Sequence, residues 1–223
     1  MPTLDREGDV FVLDLGDTEN RFHPDWLAAV EGLLEEVEKA EGPKALVTAA
    51  TGRFYSNGLD LEWLFSHPDQ AVDYLARVHG LFARLLTLPM VTVAALQGHV
   101  YAAGAMFSLS HDLRVMREDR GYWCLPEADL GIPFTPGMSA LIQARLTVPT
   151  AHEAMVTGRR YGGRDARAAA IVEHTTAEDA VRRTAVELAA AHTAKAGPAL
   201  GTIKSRMYGP ALAALRDRDI PLG

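Results

Sequence analysis

One carboxylate and one block of small residues are the parts of this 223-residue sequence that could do chemistry together. Glu127 stands in Leu125-Pro126-Glu127-Ala128-Asp129-Leu130-Gly131, close behind Trp123. Apolar neighbours disfavour an ionised carboxyl and lift its pKa toward neutrality, where a general base is most useful. An ordinary surface acid is the plain alternative. Upstream, Val91-Thr92-Val93-Ala94-Ala95-Leu96 ends at a Gly98 turn, and Ala102-Ala103-Gly104-Ala105 follows. Small residues let backbone come close to a ligand. A helix starting near Ala102 would leave its first amide N–H groups without intrahelical partners, aimed beyond the strand end and favouring negative charge there. Amide donors for a developing oxyanion, plus one positioned base, are what proton removal beside a carbonyl requires.

Other chemistries find less support. There is no His-Glu-x-x-His or Cys-x-x-Cys pattern among the eight histidines and the single cysteine, so no metal site is expected. The loop Thr51 to Gly58 could suggest a phosphate cradle, but it lacks a Gly-Lys-Ser/Thr ending; a strand-to-helix turn is the simpler reading. Gly98 to Gly104 contains no Gly-x-Gly for a dinucleotide. Ser108, Ser110, His111 and Asp112 are sequence neighbours, whereas the members of a nucleophilic triad converge from separate elements, and there is no Gly-x-Ser-x-Gly elbow. Cys124 reads as a small core residue.

The elements that must position these groups follow from periodicity. Val10 to Leu15, Ala45 to Ala50, Met90 to Leu96, Leu113 to Arg117 and Tyr122 to Leu125 read as strands. Amphipathic helices are expected from Pro24 to Ala40 and from Gln70 to Leu88, closed by Gly42-Pro43 and Pro89. Shorter helices are expected from about Leu59, over Ala102 to Ser110 and over Gly137 to Leu146. Strand, helix and strand in this order make right-handed crossover units, and ligands gather beyond the carboxyl ends of their strands. From Ala151 the composition turns to Ala, Arg and Glu, with helices expected over 151–156, 165–170, 177–196 and 198–218.

The formal net charge of −7 argues against broad nucleic-acid binding. No apolar run has the ~18 residues a membrane span needs. One cysteine, a start without an apolar leader segment and an end without a targeting tripeptide or lipidation box lead us to expect a cytoplasmic protein.

Three ordered stretches resemble a known family. Thr51-Gly52-Arg53-Phe54-Tyr55-Ser56-Asn57-Gly58-Leu59-Asp60-Leu61 is similar to the first signature of the enoyl-CoA hydratase/isomerase (crotonase) superfamily. Pro89 to Asp112 resembles its second signature and Leu125 to Ile132 its third. Thr157-Gly158-Arg159-Arg160-Tyr161 with Ala166 to Val172 resembles the segment that follows. The resemblance implies an α/β fold: a crotonase-like ββα spiral over residues 1–150 and a shortened C-terminal helical region over 151–223. It also implies a homotrimer or hexamer. The substrate would be an acyl-CoA, with coenzyme A as part of it and no other cofactor.

Carried over by position, the resemblance makes the backbone amides of Leu59 and Ala103 an oxyanion hole and Glu127 the catalytic acid–base. It lays Asn57, Gly58, Leu59, Asp60 and Leu61, with Gly104, along the pantetheine and thioester. Phe134, Met138 and Leu141 are expected as acyl-pocket walls. Hydratases of the family carry a second glutamate six residues before the Asp that closes the second signature, and here that position is Met106. Methionine can neither activate water nor carry a proton. A single carboxylate suffices to move a proton from the alpha to the gamma carbon on one face. That pattern resembles the delta-3, delta-2-enoyl-CoA isomerases. Other acyl-CoA chemistry on the same scaffold (hydration, thioester hydrolysis, decarboxylation) and a non-catalytic acyl-CoA-binding subunit are the alternatives.

Overall fold

A computed structural model describes residues 1–220; positions 221–223, the end of the expected helical region, lie outside the described residues. The chain alternates strands and helices in a spiral. It begins with β1 (Thr3–Glu7), β2 (Val10–Asp14), α1 (Pro24–Lys39), β3 (Ala45–Ala49) and β4 (Phe54–Ser56). It continues with α2 (Leu61–Ser66), α3 (Ala71–Thr87), β5 (Val91–Leu96), β6 (His99–Tyr101) and α4 (Ala103–Leu109). β7 (Leu113–Arg117), β8 (Trp123–Cys124), α5 (Glu127–Leu130), α6 (Pro136–Arg145), α7 (Val148–Thr157) and α8 (Gly163–Ala168) follow. β9 (His174–Thr176), α9 (Val181–Ala190), α10 (Pro198–Met207) and α11 (Gly209–Arg216) complete it.

β3, β5 and β7 each join a six-stranded sheet, ordered β1-β2-β3-β5-β7-β9, and the strand after each of them joins a three-stranded sheet, ordered β4-β6-β8. β1 pairs antiparallel with β2; the other pairs in the large sheet are parallel. β3 and β5 are buried at every residue. Both faces of the large sheet are covered, and that explains their unalternating apolar runs. Leu13, Leu46, Ala94 and Met116 face the main core, with Trp26, Val30 and Leu34 of α1 and Leu81, Phe82 and Leu85 of α3. Val12, Val47, Val93 and Val115 face the other way, against Val181, Ala185 and Ala189 of α9.

The region after residue 150 is therefore not wholly helical. β9 extends the large sheet, and α9 closes its second face. The stretch expected as one helix over 198–218 is two, divided at Tyr208. Buried polar groups fasten this region to the spiral. Lys204, 3% exposed, donates to the Met90 carbonyl at 2.7 Å and to Asp112 at 2.5 Å. Arg114 is also buried and pairs with Glu173 at 2.5 Å while donating to the Ile171 carbonyl. Among the described residues no helix is long and apolar enough to cross a membrane.

Candidate active site

The small sheet and the loops leaving it enclose a cavity of about 630 Å³. Glu127 enters it from the first residue of α5, directly beyond β8. Its side chain is 7% exposed, and its Oε2 has no hydrogen-bond partner among the described residues. Burial pushes the carboxyl up to about 7, opposed only by its own backbone N–H. A carboxyl with that affinity can both take and return a proton near neutrality. No other Asp or Glu lines the cavity among the described residues, and Met106, fully buried on α4, lines it too.

Leu59 and Ala103 both line the cavity. Ala103 is the first residue of α4, and the position before it supplies no side-chain cap. Neither amide donates to a protein acceptor among the described residues, whereas the neighbouring Gly58 and Asp60 amides do. The two loops meet at Gly58. A Cβ there would lie 2.7 Å from Ala103 N and 3.0 Å from the Tyr101 carbonyl, and its φ of +83° suits glycine. Ala102 turns β6 into α4 with φ +52° and ψ −127°, a conformation a non-glycine residue adopts only under strain. The strain leaves the Ala103 N–H free at the cavity wall, and the backbone of Ala102 is held by its N–H donating to the Cys124 carbonyl at 3.0 Å.

The first-signature loop is fixed from behind. Phe22 N–H donates to the Gly58 carbonyl at 2.8 Å, and Asn57 N–H to the Glu19 carbonyl at 2.9 Å. Asn20, buried with φ +48°, donates through Nδ2 to the Phe54 and Tyr55 carbonyls, and Ser56 Oγ donates to the Asn20 carbonyl. Asn20 carries no periodic or motif signal in the sequence, and only the assembled fold shows its part.

Of the residues expected to touch the substrate, Asn57, Leu59 and Leu61 line the cavity, as do Ala103 and Glu127. Gly58, Asp60 and Gly104 instead build the wall behind it. Asp60 caps α2 by accepting from Trp63 N–H, and its own N–H donates to Tyr74 Oη. At Gly104 a Cβ would come within 2.6 Å of the Ser56 carbonyl, so this glycine is needed for α4 to pack on β4. Met138 is a wall residue as expected, but Leu141 and Phe134 are not: Leu141 is fully buried in the core and Phe134 packs against it. The apolar wall comes instead from Leu64, Phe65, Ala71 and Leu75 of α2 and α3, with Thr135 beside Met138. The cations Arg21 and Arg160 also line it, and Arg21 pairs with Glu19 at 2.5 Å. Nothing in the sequence separates Arg21 from the other arginines, and Arg160 lies in the stretch resembling the family's post-signature segment without being marked there as a site residue.

Comparison with known proteins gives the family and the fold. The family model for enoyl-CoA hydratase/isomerase matches residues 6–217. The chain belongs to the enoyl-CoA hydratase/isomerase family. Among the family's members it is similar to enoyl-CoA delta isomerase 3 of Arabidopsis thaliana, 40% identical over 93% of this chain and 92% of that one. It is 37% identical to the peroxisomal enoyl-CoA delta isomerase 2 of the same plant, over 93% of this chain and 92% of the relative. A solved structure of a probable enoyl-CoA hydratase from Mycobacterium tuberculosis H37Rv superposes with a TM-score of 0.89 at 27% identity, covering 96% of this chain and 91% of that one. The fold is thus the α/β crotonase fold of the family, with helices toward the C-terminus.

Proposed function

We propose that the chain is an enoyl-CoA isomerase that converts a 3-enoyl-CoA to the 2-enoyl-CoA with Glu127 as its one acid–base. The observation that carries this reading is a single carboxylate among the described residues lining the cavity, buried and raised to about 7, with Met106 at the position where the resemblance puts a hydratase's second glutamate. The thioester oxygen accepts from the N–H groups of Leu59 and Ala103. Glu127 removes a proton from the alpha carbon, and the C–H electron pair becomes a double bond between the carbonyl carbon and the alpha carbon, while the carbonyl π pair moves onto the oxygen of the resulting dienolate. When the carbonyl re-forms, that carbon–carbon pair moves to the alpha–beta bond, and the former beta–gamma pair takes the proton back from Glu127 at the gamma carbon. One proton leaves and one returns, so no metal or redox partner is required. Hydration needs a second group to activate water, and Met106 cannot provide it.

The similarity to two delta isomerases supports the same reaction class. Arg21 and Arg160 at the cavity suit the phosphates of coenzyme A. A single buried thiol, Cys124, suits a reducing compartment, which we take to be the cytoplasm. A homotrimer or hexamer is the proposed assembly, and light scattering of the purified chain checks it. The decisive experiment follows conjugated product by ultraviolet absorbance on mixing protein with a 3-enoyl-CoA. Conversion is expected, with a loss of about two to four orders of magnitude in Glu127→Gln and acyl-CoA binding retained. Conversion unchanged by that substitution removes the mechanism, and hydration of a 2-enoyl-CoA by the wild type removes the part assigned to Met106.

A further inference from the structure

Among the described residues two that carry a hydroxyl line the cavity, Tyr101, whose Oη is 2.9 Å from His99 Nδ1, and Thr135. Thr135 lies among Leu64, Phe65, Leu75 and Met138 and is buried. Its Oγ1 accepts the Met138 N–H at 3.2 Å, capping α6. The same oxygen is 2.9 Å from Nε2 of His79 on α3. His79 is 1% exposed, and its Nδ1 has no partner among the described residues. Burial holds this imidazole down to about 4, so the ring is neutral at physiological pH and carries one proton.

The position of that proton follows from what each choice leaves unmet. On Nδ1 it would be a buried N–H with no acceptor, the kind of orphan that folded proteins rarely tolerate. On Nε2 it leaves only a lone pair unused and donates to Thr135 Oγ1. The threonine oxygen then accepts two hydrogen bonds, from Met138 and from His79. Its own hydrogen has no acceptor among the described residues, and the direction left to it is the cavity.

We propose that the Thr135 hydroxyl donates a hydrogen bond to an oxygen atom carried on the acyl chain, so that this cavity selects enoyl thioesters whose chain bears an ether, hydroxyl or keto oxygen. The inference rests on the acyl-CoA reading of the site. It assigns Thr135 a part in specificity and leaves the proton transfer to Glu127. His79 is a positioning residue that fixes which way the hydroxyl points.

Calorimetric titration with saturated acyl-CoA esters of equal length tests it. One ester is all-carbon, and in each of the others an ether oxygen replaces one methylene, moved along the chain a carbon at a time. The wild type is expected to bind one of the ether esters about three- to tenfold tighter than the all-carbon ester, the worth of one net hydrogen bond. Thr135→Ser should keep that preference and Thr135→Val should lose it. The ratio is measured within one variant, so a smaller folded fraction in Thr135→Val cancels. A wild type with no preference at any position, or a preference that survives Thr135→Val, overturns the proposal. Esters that bind but are never converted as 3-enoyl analogues would overturn the isomerase reading and leave the preference to decide this one. Failure of every ester to bind overturns both.

Discussion

Replacing Glu127 by glutamine should change the pH dependence of stability, in a direction opposite to that of a carboxylate held by an ion pair. The carboxyl has a value of about 7 in the folded chain against 4.5 for an unperturbed glutamate, because burial disfavours its charge. Its folded value is raised, so its contribution is fully favourable below 4.5, where both states hold the proton, and is lost as the pH climbs through 7. At pH 5 the wild type has given up about 1 kcal/mol and at pH 8 about 3 kcal/mol, taking about 1.4 kcal/mol per unit. Glutamine does not titrate, so Glu127→Gln should gain about 2 to 3 kcal/mol on the wild type between those pH values. With an unfolding entropy of about 0.47 kcal/mol/K for a chain of this size, that is about 5 °C in the difference of Tm. Any fixed cost of the new amide cancels in the comparison. Differential scanning fluorimetry at half-unit steps from pH 5 to pH 8 reads it directly. A Tm difference that stays flat across this range would show a carboxyl that titrates as it does in water, and the argument for a desolvated base would fail.

The same titration should appear in catalysis: kcat/KM is expected to rise about tenfold per pH unit below 6 and to level above 8, since the base must be ionised to accept the proton. Stopped-flow absorbance against pH checks this, and a plateau reached by pH 5 would contradict it. Ala102→Gly should raise stability by about 1 kcal/mol in urea titration, because it relieves the positive φ, whereas Ala102→Val should cost more than that. Gly58→Ala should lower kcat by about two orders of magnitude, since the new methyl has 2.7 Å to the Ala103 nitrogen and must push one amide donor away from the other. A kcat within threefold of wild type would show that the two amides do not act together. Lys204→Met should destabilise by about 2 kcal/mol in chemical denaturation, because the Met90 carbonyl loses its buried donor and Asp112 keeps only its hydrogen bonds from Thr92.

How far the sequence could be read depended on segment length and on burial. α1 and α3 repeat their apolar residues over four turns or more, and β3 and β5 are continuous apolar runs, so all four were legible. β4 and β6 have three residues each and no room to show a period, and β4 was expected as part of a loop. β9 is a polar His174-Thr175-Thr176 that becomes a strand only because β7 offers it an edge. Glu127, Leu59, Ala103 and Asn57, which line the cavity, could be singled out because they lie in or beside recognisable motifs. Gly104 and Asp60 lie in the same motifs, yet they serve packing and capping. Leu64, Phe65, Ala71 and Leu75 were missed as cavity wall, since a helical apolar stripe reads the same whether it meets a core or an acyl chain. Asn20 and His79 act through partners far away in the chain, and such pairs have no local signature.

The two amides proposed to hold the thioester oxygen belong to the main chain, and under that proposal this has a practical consequence for anyone mapping the protein by substitution. An alanine scan would register Glu127 and nothing else at the reacting carbon. Leu59 would score as a mild packing defect, and Ala103 would not be probed at all. Half of the electrostatic apparatus would be missing from such a map, and ester-for-amide replacement in the backbone is the way to restore it.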